Sequence, residues 1–457
     1  MLFGMVFSLV TLASHTYSAG LREEFSWTRI GYAWNINPLS LTERSSYSRG
    51  DRSRSIKQSR GNSVNGADSI VFDGSTNADS GAGSPSSIDY QYVNNIPMGA
   101  NVWQNKLFVT VPRRRLGVPS TLNYVFLDGR IKHNAPLIPY PNWKTNLYPD
   151  RTGVGENIVS VYRVAIDVCD RMWFVDTGIV ETLGNRTVVK PHELILINLQ
   201  TDDIIHRYSL PASVITPATV LASVTVDTTK EDCTNAYAYF PDLAGYGLVV
   251  YSLSENKAWR VNHNYFYVEP TAGEFRIAGH QFQWNDGVFS VELTDVKPDG
   301  YRDMYFHAMA GTHMYRASTK ILRNETLATR SYHGSDFETI GDRGPLSQTA
   351  TADIHKKSGV MFLGLVNQNA VGCWNVNNNL KSISIVQKDD DKMIYPSDVK
   401  VSSDRVYILT NTMPAFLYGR LDYDKINFRV WSNDVFSAIR GTKCQGGGGN
   451  NYGQHLM

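Results

Sequence analysis

Cysteine is scarce in this sequence, and the cysteines that occur are far apart. The 457 residues include four, which are Cys169, Cys233, Cys373 and Cys444. Structural zinc sites and thioredoxin-like motifs need cysteines spaced a few residues apart, so this spacing argues against both classes. An even number of separated cysteines, after the apolar N-terminal run of residues 1–13, instead predicts two disulfide bonds.

An excess of charge of one sign is also missing, because 44 Lys and Arg face 43 Asp and Glu. A basic surface that would follow a phosphate backbone is therefore not expected, and nucleic acid is not a predicted partner. The sequence contains no G-x-S-x-G elbow, no H-E-x-x-H helix and no phosphate loop. Their absence argues against the commonest hydrolase and nucleotide-enzyme classes, and we expect neither a cofactor nor a metal site.

Long apolar runs are missing except at the N-terminus. Residues 1–13 are mostly apolar, and Thr16 and Ser18 place small residues where a signal peptidase cleaves. We predict a signal peptide over residues 1–18; a buried helix is the alternative, because a charged n-region is lacking. No later run could span a bilayer, so we expect a soluble, secreted protein without membrane contact. Two sequons, at Asn185 and Asn324, fit glycosylation in that pathway.

What the sequence does contain is a short apolar strand after a polar turn, repeated six times: residues 106–112, 171–176, 235–242, 303–308, 359–366 and 405–411. Most copies follow a small-residue strand, at 159–167, 220–227, 347–354 and 396–401. Third and fourth strands are visible at 193–208, 248–261, 371–386 and 415–431. Copies spaced about 45–70 residues apart predict an all-β, six-bladed β-propeller over residues 91–444. The alternative architecture is a pair of β-sandwiches, but sandwiches lack this four-strand period.

The remaining segments have distinct compositions. In the N-terminal segment 19–40, residues 25–34 are predicted to form a strand that joins the last blade and closes the ring. Residues 41–90 are rich in Ser, Gly, Asn, Asp and Arg, which predicts a disordered insertion, and residues 445–457 form a flexible tail. The expected disulfides are Cys169–Cys233, whose cysteines precede the second strands of consecutive blades, and Cys373–Cys444, which would fasten the tail.

Several strings resemble the insect yellow and major royal jelly protein family. They include NIPMGANVWQNKLFVTVPR at 95–113 and CDRMWFVDTG at 169–178, with further matches at 117–124, 139–143, 362–366, 372–375 and 424–429. The resemblance covers residues 24–444 apart from the insertion. It implies a secreted six-bladed propeller, in a family of pigmentation proteins, dopachrome-converting enzymes, salivary amine binders and royal-jelly proteins. Arg114 departs from the pattern, because relatives usually carry an aromatic residue there.

A ligand site is expected where second strands end and first strands begin, because antiparallel neighbours place these ends on one face. The family's amine binders use positions resembling Asn411 and Met413, with another near Ser397. An aromatic amine needs an apolar slot and acceptors for its ammonium group, which Asn411, Asp398 and Asp176 could supply. The alternative for each residue is local turn chemistry.

Catalysis would need more than binding. Dopachrome conversion requires a base, for which His280 and Asp398 are candidates, and Arg113 could hold the substrate carboxylate or serve as a buried ion-pair partner. A calcium-dependent propeller hydrolase is a further alternative, with oxygen ligands from Glu156, Asn157, Asp227 and Asp353.

Three functions are therefore open. The leading interpretation is a protein that binds a small aromatic amine or catechol derivative in cuticle pigmentation or melanin metabolism, with extracellular matrix or cuticle as a further partner. The second is a dopachrome-converting enzyme of melanin synthesis. The third is a structural cuticle or eggshell protein without catalysis.

Overall fold

The computed structural model describes residues 20–34, 90–148 and 157–445. In these ranges six antiparallel sheets contain four strands each. The first strands of consecutive sheets contact one another, and the sixth contacts the first. This closed ring is the predicted six-bladed β-propeller. The predicted signal peptide, residues 41–89 of the predicted insertion, residues 446–457 of the predicted tail and Glu156 lie outside the described residues.

Within each blade the strands follow one another from the axis outwards. Blade 1 contains Gly99–Trp103, Lys106–Thr110, Leu122–Phe126 and Ile138–Pro139; blade 2 contains Ala165–Ile166, Arg171–Asp176, Glu193–Asn198 and Asp203–Ser209; blade 3 contains Thr225–Asp227, Tyr237–Asp242, Gly247–Ser252 and Lys257–Val261. Blade 4 contains Val288–Leu293, Asp303–Ala308, His313–Ser318 and Phe337–Asp342; blade 5 contains Thr349–His355, Val360–Leu365, Ala370–Asn375 and Ser384–Lys388; blade 6 contains Pro396–Ser402, Arg405–Thr410, Phe428–Asp434 and Arg22–Trp27.

Shorter elements lie between the blade strands. Two hairpins pair Ile179–Val180 with Thr187–Val188 and Glu274–Ile277 with His280–Gln283. The α-helices are Trp143–Asn146, Thr319–Leu322, Glu325–Ala328, Met413–Tyr418 and Val435–Ala438. The 3-10 helices are Tyr92–Asn94, Asn264–Phe266, Pro270–Ala272, Val366–Gln368, Leu380–Ser382 and Lys443–Gln445.

Each of the six repeated apolar strings forms the second strand of a blade. A second strand has a neighbour on both edges and a neighbouring blade on both faces, so nearly all of its residues are removed from water. All six residues of Val360–Leu365 are buried, for example, as are five of six in Arg171–Asp176. Burial on both faces explains why these strands are continuous apolar runs rather than alternating patterns.

The last blade differs from the prediction of two strands within residues 415–431. The chain forms the helix Met413–Tyr418 there, with Pro414 in its first turn, where a missing N–H costs nothing. One strand, Phe428–Asp434, follows, and Arg22–Trp27 pairs with it as the outermost strand. The predicted ring-closing strand is therefore present, although it begins at Arg22.

The last two residues of this closing strand fasten blade 6 to blade 1. The backbone N–H of Ser26 donates to the Lys132 carbonyl at 3.0 Å, and the Trp27 indole N–H donates to the Ala135 carbonyl at 2.8 Å. Trp27 is fully buried. Backbone pairing and a buried aromatic side chain thus join the first and last parts of the ring.

Both predicted disulfides are present. Cys169–Cys233 connects the turns before the second strands of blades 2 and 3, and Cys373–Cys444 connects the third strand of blade 5 to the 3-10 helix that ends the described chain. Disulfides are typical of oxidising compartments outside the cytosol. None of the helices in the described ranges is long and apolar enough to cross a membrane.

Candidate functional site

The upper face, where first strands begin and second strands end, carries the two connections that cover the axis. The connection between blades 3 and 4 contains the hairpin Glu274–Gln283, and the helix Met413–Tyr418 follows the second strand of blade 6. Blades 3 and 6 lie opposite each other in the ring, yet the two connections touch. The ring centres of Phe282 and Tyr418 are 4.8 Å apart. Hairpin and helix therefore meet above the channel.

Three aromatic side chains and two charged ones form what we call the mouth site: Arg114, Trp284, Asp286, Tyr395 and Tyr418. The Trp284 and Tyr395 rings are perpendicular, with centres 5.9 Å apart. The Trp284 indole N–H donates to the Tyr418 hydroxyl at 2.5 Å. Tyr395 is buried, whereas Tyr418 is 49% exposed. The rings thus form an aromatic wall that runs from the solvent into the protein, which suits a flat ligand ring.

Asp286 lies beside this wall with a free carboxylate. Its backbone is held in place, because its carbonyl accepts from the Ala310 N–H at 3.0 Å and the Tyr246 hydroxyl donates to the Asn285 carbonyl at 2.8 Å. Within the described part of the chain, no hydrogen bond or ion pair engages the Asp286 side chain. Burial raises its pKa to about 6, although the nearby Arg114 charge acts to lower it. Near neutral pH, such a carboxylate can form an ion pair with an ammonium group, or it can take up a proton as a general base.

Arg114 supplies a positive charge next to this acid. One of its terminal nitrogens contacts the Met413 sulfur at 3.6 Å, and its Nε is buried without a hydrogen-bond partner among the described residues. A guanidinium with an unused donor can bind a hydroxyl or a carboxylate. The residue that departs from the family pattern in sequence is therefore part of the mouth site.

The family-derived positions Asn411, Met413 and Ser397 lie just below the mouth site. Asn411 is fully buried; its Nδ2 donates to the Pro97 carbonyl at 2.8 Å, and its Oδ1 accepts from the Met413 N–H at 3.2 Å. The Ser397 hydroxyl donates to the Leu409 carbonyl at 3.3 Å. The polar groups of Asn411 and Ser397 bond to nearby backbone and hold the strand ends in place, as the alternative of local turn chemistry expects. Of these three residues, only Met413 contacts a mouth-site residue, which is Arg114.

Asp176 has a similar role in blade 2. Its carboxylate is fully buried and accepts backbone N–H groups of Val159 and Ser160, both at 2.8 Å. The Lys190 ammonium group lies 2.8 Å from its Oδ2. These contacts leave the carboxylate committed to the protein rather than to a ligand.

The prediction that Arg113 holds a substrate carboxylate requires correction. Arg113 is 3% exposed, and every N–H direction of its guanidinium points to a backbone carbonyl. The acceptors are the carbonyl oxygens of Val118, Pro119, Asn146, Ile158 and Val159. A guanidinium has five N–H donors, so none remains for a substrate.

Neither candidate base, Asp398 or His280, lies where the sequence analysis needed it, with a free side chain at the end of a blade strand. Asp398 is 1% exposed and accepts from the Ala100 N–H at 3.0 Å and the Thr351 hydroxyl at 3.3 Å, with Arg163 and Lys400 also in ion-pair contact.

His280, the other candidate base, is not at the start of a blade's first strand, where the ligand site was expected, because the first strand of blade 4 begins at Val288. His280 lies on the inserted hairpin, so close to Gly419 that a Cβ there would be 2.8 Å from the imidazole Cε1.

The calcium alternative is not supported by the described residues, which contain no cluster of three or more His, Cys, Asp or Glu side chains that could hold a metal ion. Asp227 is instead paired with Arg302 at 2.7 Å and Arg323 at 2.5 Å. Its charge is already compensated by two guanidinium groups.

Comparison with known proteins agrees with the resemblance in sequence. A family model described as Major royal jelly protein matches residues 159–444. The chain is 39% identical to L-dopachrome tautomerase yellow-f of Drosophila melanogaster, over 79% of this chain and 85% of that protein. It is 40% identical to Protein yellow of Drosophila subobscura and of Drosophila melanogaster, over 78% of this chain in each case. These matches span 62% and 65% of the two yellow proteins.

Proposed function

Because this chain belongs to the yellow and major royal jelly protein family, we propose that it is a secreted protein that binds a small aromatic amine or catechol derivative in cuticle pigmentation or melanin metabolism. The observation that carries this proposal is the free, partly buried carboxylate of Asp286 beside the aromatic wall of Trp284, Tyr395 and Tyr418. One relative carries the name L-dopachrome tautomerase, and a catechol derivative is the kind of ligand that this site suits.

Each part of such a ligand has a counterpart in the mouth site. The aromatic ring would stack on Trp284 or Tyr418, and the ammonium group would pair with Asp286. The guanidinium group of Arg114, a partly exposed residue, could donate to a catechol oxygen.

Secretion is part of the same proposal. The signal peptide predicted over residues 1–18, the two disulfides and the two sequons support it together. Asn185 and Asn324 are both exposed, and Asn324 caps the helix Glu325–Ala328 through Oδ1, which leaves its Nδ2 free to carry a glycan. Binding to extracellular matrix or cuticle fits this location and is proposed with it.

Dopachrome conversion is a second candidate, and the raised pKa of Asp286 next to Arg114 favours it. The reaction is an isomerisation in which two carbon-bound protons leave the dihydroindole ring and the two quinone oxygens each gain a proton, without net oxidation. Asp286 would accept the proton beside the carboxylate, and Arg114 would stabilise negative charge that develops on the quinone. A structural cuticle or eggshell protein is the remaining alternative and predicts no ligand.

Calorimetric titration with dopamine at two pH values tests the binding proposal. The ligand amine stays protonated between pH 5 and 7.5, whereas Asp286 loses most of its negative charge below its pKa of about 6. The affinity at pH 5 is therefore expected to be about tenfold lower than at pH 7.5. In the Asp286→Asn variant, binding should be weaker and independent of pH in this range. Equal affinity at both pH values in the wild type would argue against Asp286 as the ammonium partner, and no binding at all would favour the structural alternative.

A further inference from the structure

Three side chains on the lower face, where first strands end and second strands begin, form a hydrogen-bonded chain far from the mouth site. His355 ends the first strand of blade 5, Ser358 lies in the turn that follows, and Asp404 lies in the corresponding turn of blade 6. The imidazole Nδ1 of His355 is 2.7 Å from the Ser358 hydroxyl oxygen, and its Nε2 is 3.0 Å from a carboxylate oxygen of Asp404. Serine, imidazole and carboxylate in this order activate a serine nucleophile, and the arrangement is recognised by geometry rather than by a sequence motif.

The hydrogen bonds fix which imidazole nitrogen carries the proton. An ionised carboxylate only accepts, so the Nε2 of neutral His355 carries the proton and donates to Asp404. The contacts of Lys357 and His355 hold the pKa of Asp404 below its usual value, which keeps the carboxylate ionised. The Nδ1 is then left as the acceptor for the Ser358 O–H. The Val360 N–H donates to the same hydroxyl oxygen at 3.3 Å, which leaves the hydroxyl hydrogen free to point at Nδ1.

The fold holds these groups in place. The His355 side chain is 3% exposed, and its carbonyl accepts from the N–H groups of Ser358 and Gly359 at 3.2 and 2.9 Å. Gly359 has a φ of +70°, and a Cβ there would be 2.8 Å from a neighbouring side-chain nitrogen, so the turn requires glycine. The Val435 N–H donates to the Asp404 carbonyl at 2.8 Å, which anchors the second turn to the helix that begins at Val435. The nucleophile and its base therefore have little freedom to separate.

The same groups are open to solvent on one side. Ser358 is partly exposed, and the side chain of Asp404 is 48% exposed. The ring of Phe436, which is 53% exposed, is perpendicular to the imidazole of His355, with ring centres 5.5 Å apart. An exposed aromatic ring beside the base offers a surface for an apolar group of a substrate. The Lys357 ammonium group, 3.0 Å from a carboxylate oxygen of Asp404, adds a positive charge to the cluster.

We propose that His355, Ser358 and Asp404, which we call the lower-face triad, form a second site that cleaves small activated esters. The Ser358 oxygen attacks the ester carbonyl carbon, and its proton moves to the Nδ1 of His355. The bond from that carbon to the leaving oxygen breaks, and the leaving oxygen takes the proton from the imidazole. Water then gives a proton to His355 and attacks the acyl carbon, the bond to the serine oxygen breaks, and that oxygen takes the proton back. Lys357 supplies the positive charge for the carbonyl oxygen when it becomes negative.

Hydrolysis of p-nitrophenyl acetate by the full chain tests this activity, with the release of nitrophenolate corrected for spontaneous hydrolysis. Ser358→Ala is expected to lower kcat by at least about 100-fold, and His355→Gln by a similar factor, because each removes a group that takes part in the proton transfer. Asp404→Asn should lower kcat and leave KM nearly unchanged, because Asp404 orients the base and does not touch the ester.

Phenylmethylsulfonyl fluoride is the second probe, because the oxygen of an activated serine displaces its fluoride and the adduct can be located by mass spectrometry of peptides. We expect the adduct on Ser358 and not on Ser437, a partly exposed serine on the helix that carries Phe436. Ser437 forms no hydrogen bond with an imidazole in the described chain, and Ser437→Ala should hydrolyse the ester like the wild type. The labelling of the wild type can be read even if His355→Gln fails to fold.

No adduct on Ser358, or an unchanged rate of hydrolysis in Ser358→Ala, would overturn the inference. Equal labelling of Ser358 and Ser437 would overturn it as well, because the triad would then give no activation. The mouth site takes no part in either measurement, so these results leave the proposed function as it stands.

Discussion

Replacing Asp286 by Asn is expected to lower the rate of dopachrome conversion by about 10²- to 10⁴-fold, if conversion is the activity of this protein. Asparagine keeps the shape of the side chain but cannot accept a proton from the ring carbon. The measurement is the loss of dopachrome absorbance with purified protein, corrected for spontaneous decay. In the wild type the rate should also fall as the pH drops below about 6, where Asp286 becomes protonated.

Loss of the fold should not explain this result. The raised pKa means that folded Asp286 holds its proton more tightly than unfolded Asp286, so ionisation of this group lowers stability as the pH rises towards 6. Asp286→Asn should therefore be at least as stable as the wild type at pH 7. Glu255→Gln removes an exposed acid on the opposite face and should leave the rate unchanged. A fully active, well-folded Asp286→Asn would remove Asp286 from the chemistry.

Removing the Cys373–Cys444 disulfide with a double alanine substitution is expected to lower the free energy of unfolding by about 2–5 kcal/mol. Both cysteines are fully buried in a cluster that includes Val435 and Ile439, so the change removes the crosslink and the packing of two sulfurs. The crosslink also fastens the end of blade 6 to blade 5. Chemical denaturation followed by tryptophan fluorescence measures the loss.

The Cys169–Cys233 disulfide provides a matched comparison. The two bridges span 64 and 71 residues, so the loss of loop-closure entropy is nearly equal for both. Cys169 and Cys233 are only partly buried, and their double alanine variant should lose less stability than the variant at 373 and 444. The opposite order would mean that packing of the buried sulfurs contributes little.

The architecture could be predicted from sequence because its main signal is local. Each second strand is buried on both faces, which produces an apolar run after a polar turn, and six such runs are visible without alignment. The last blade was harder, since its fourth strand comes from Arg22–Trp27 at the other end of the chain. The helix Met413–Tyr418 was missed because six mostly apolar residues fit a strand as well as a helix, and only Pro414 marked the helix start.

The site was less predictable, because it depends on contacts between distant connections. The sequence identified the correct face, but the polar residues at the strand ends, such as Asn411 and Asp176, mainly hold neighbouring backbone. Trp284 and Asp286 belong to a connection of residues 262–287 that is long for a propeller, and this length was the available signal. Nothing local indicated that Trp284 would meet Tyr418 across the ring.

The most direct test of the mouth site is the dopamine affinity of two tyrosine variants, measured by calorimetry at pH 7.5. Tyr418 forms the exposed part of the aromatic wall, and Tyr332 is an exposed tyrosine, 81% accessible, in the connection before the last strand of blade 4. We predict that Tyr418→Ala weakens binding by about tenfold, as expected for the loss of one ring contact of about 0.5–1.5 kcal/mol plus its buried area, and that Tyr332→Ala binds like the wild type. Unchanged affinity in a folded Tyr418→Ala, or equal weakening in both variants, would contradict a ligand site at the mouth.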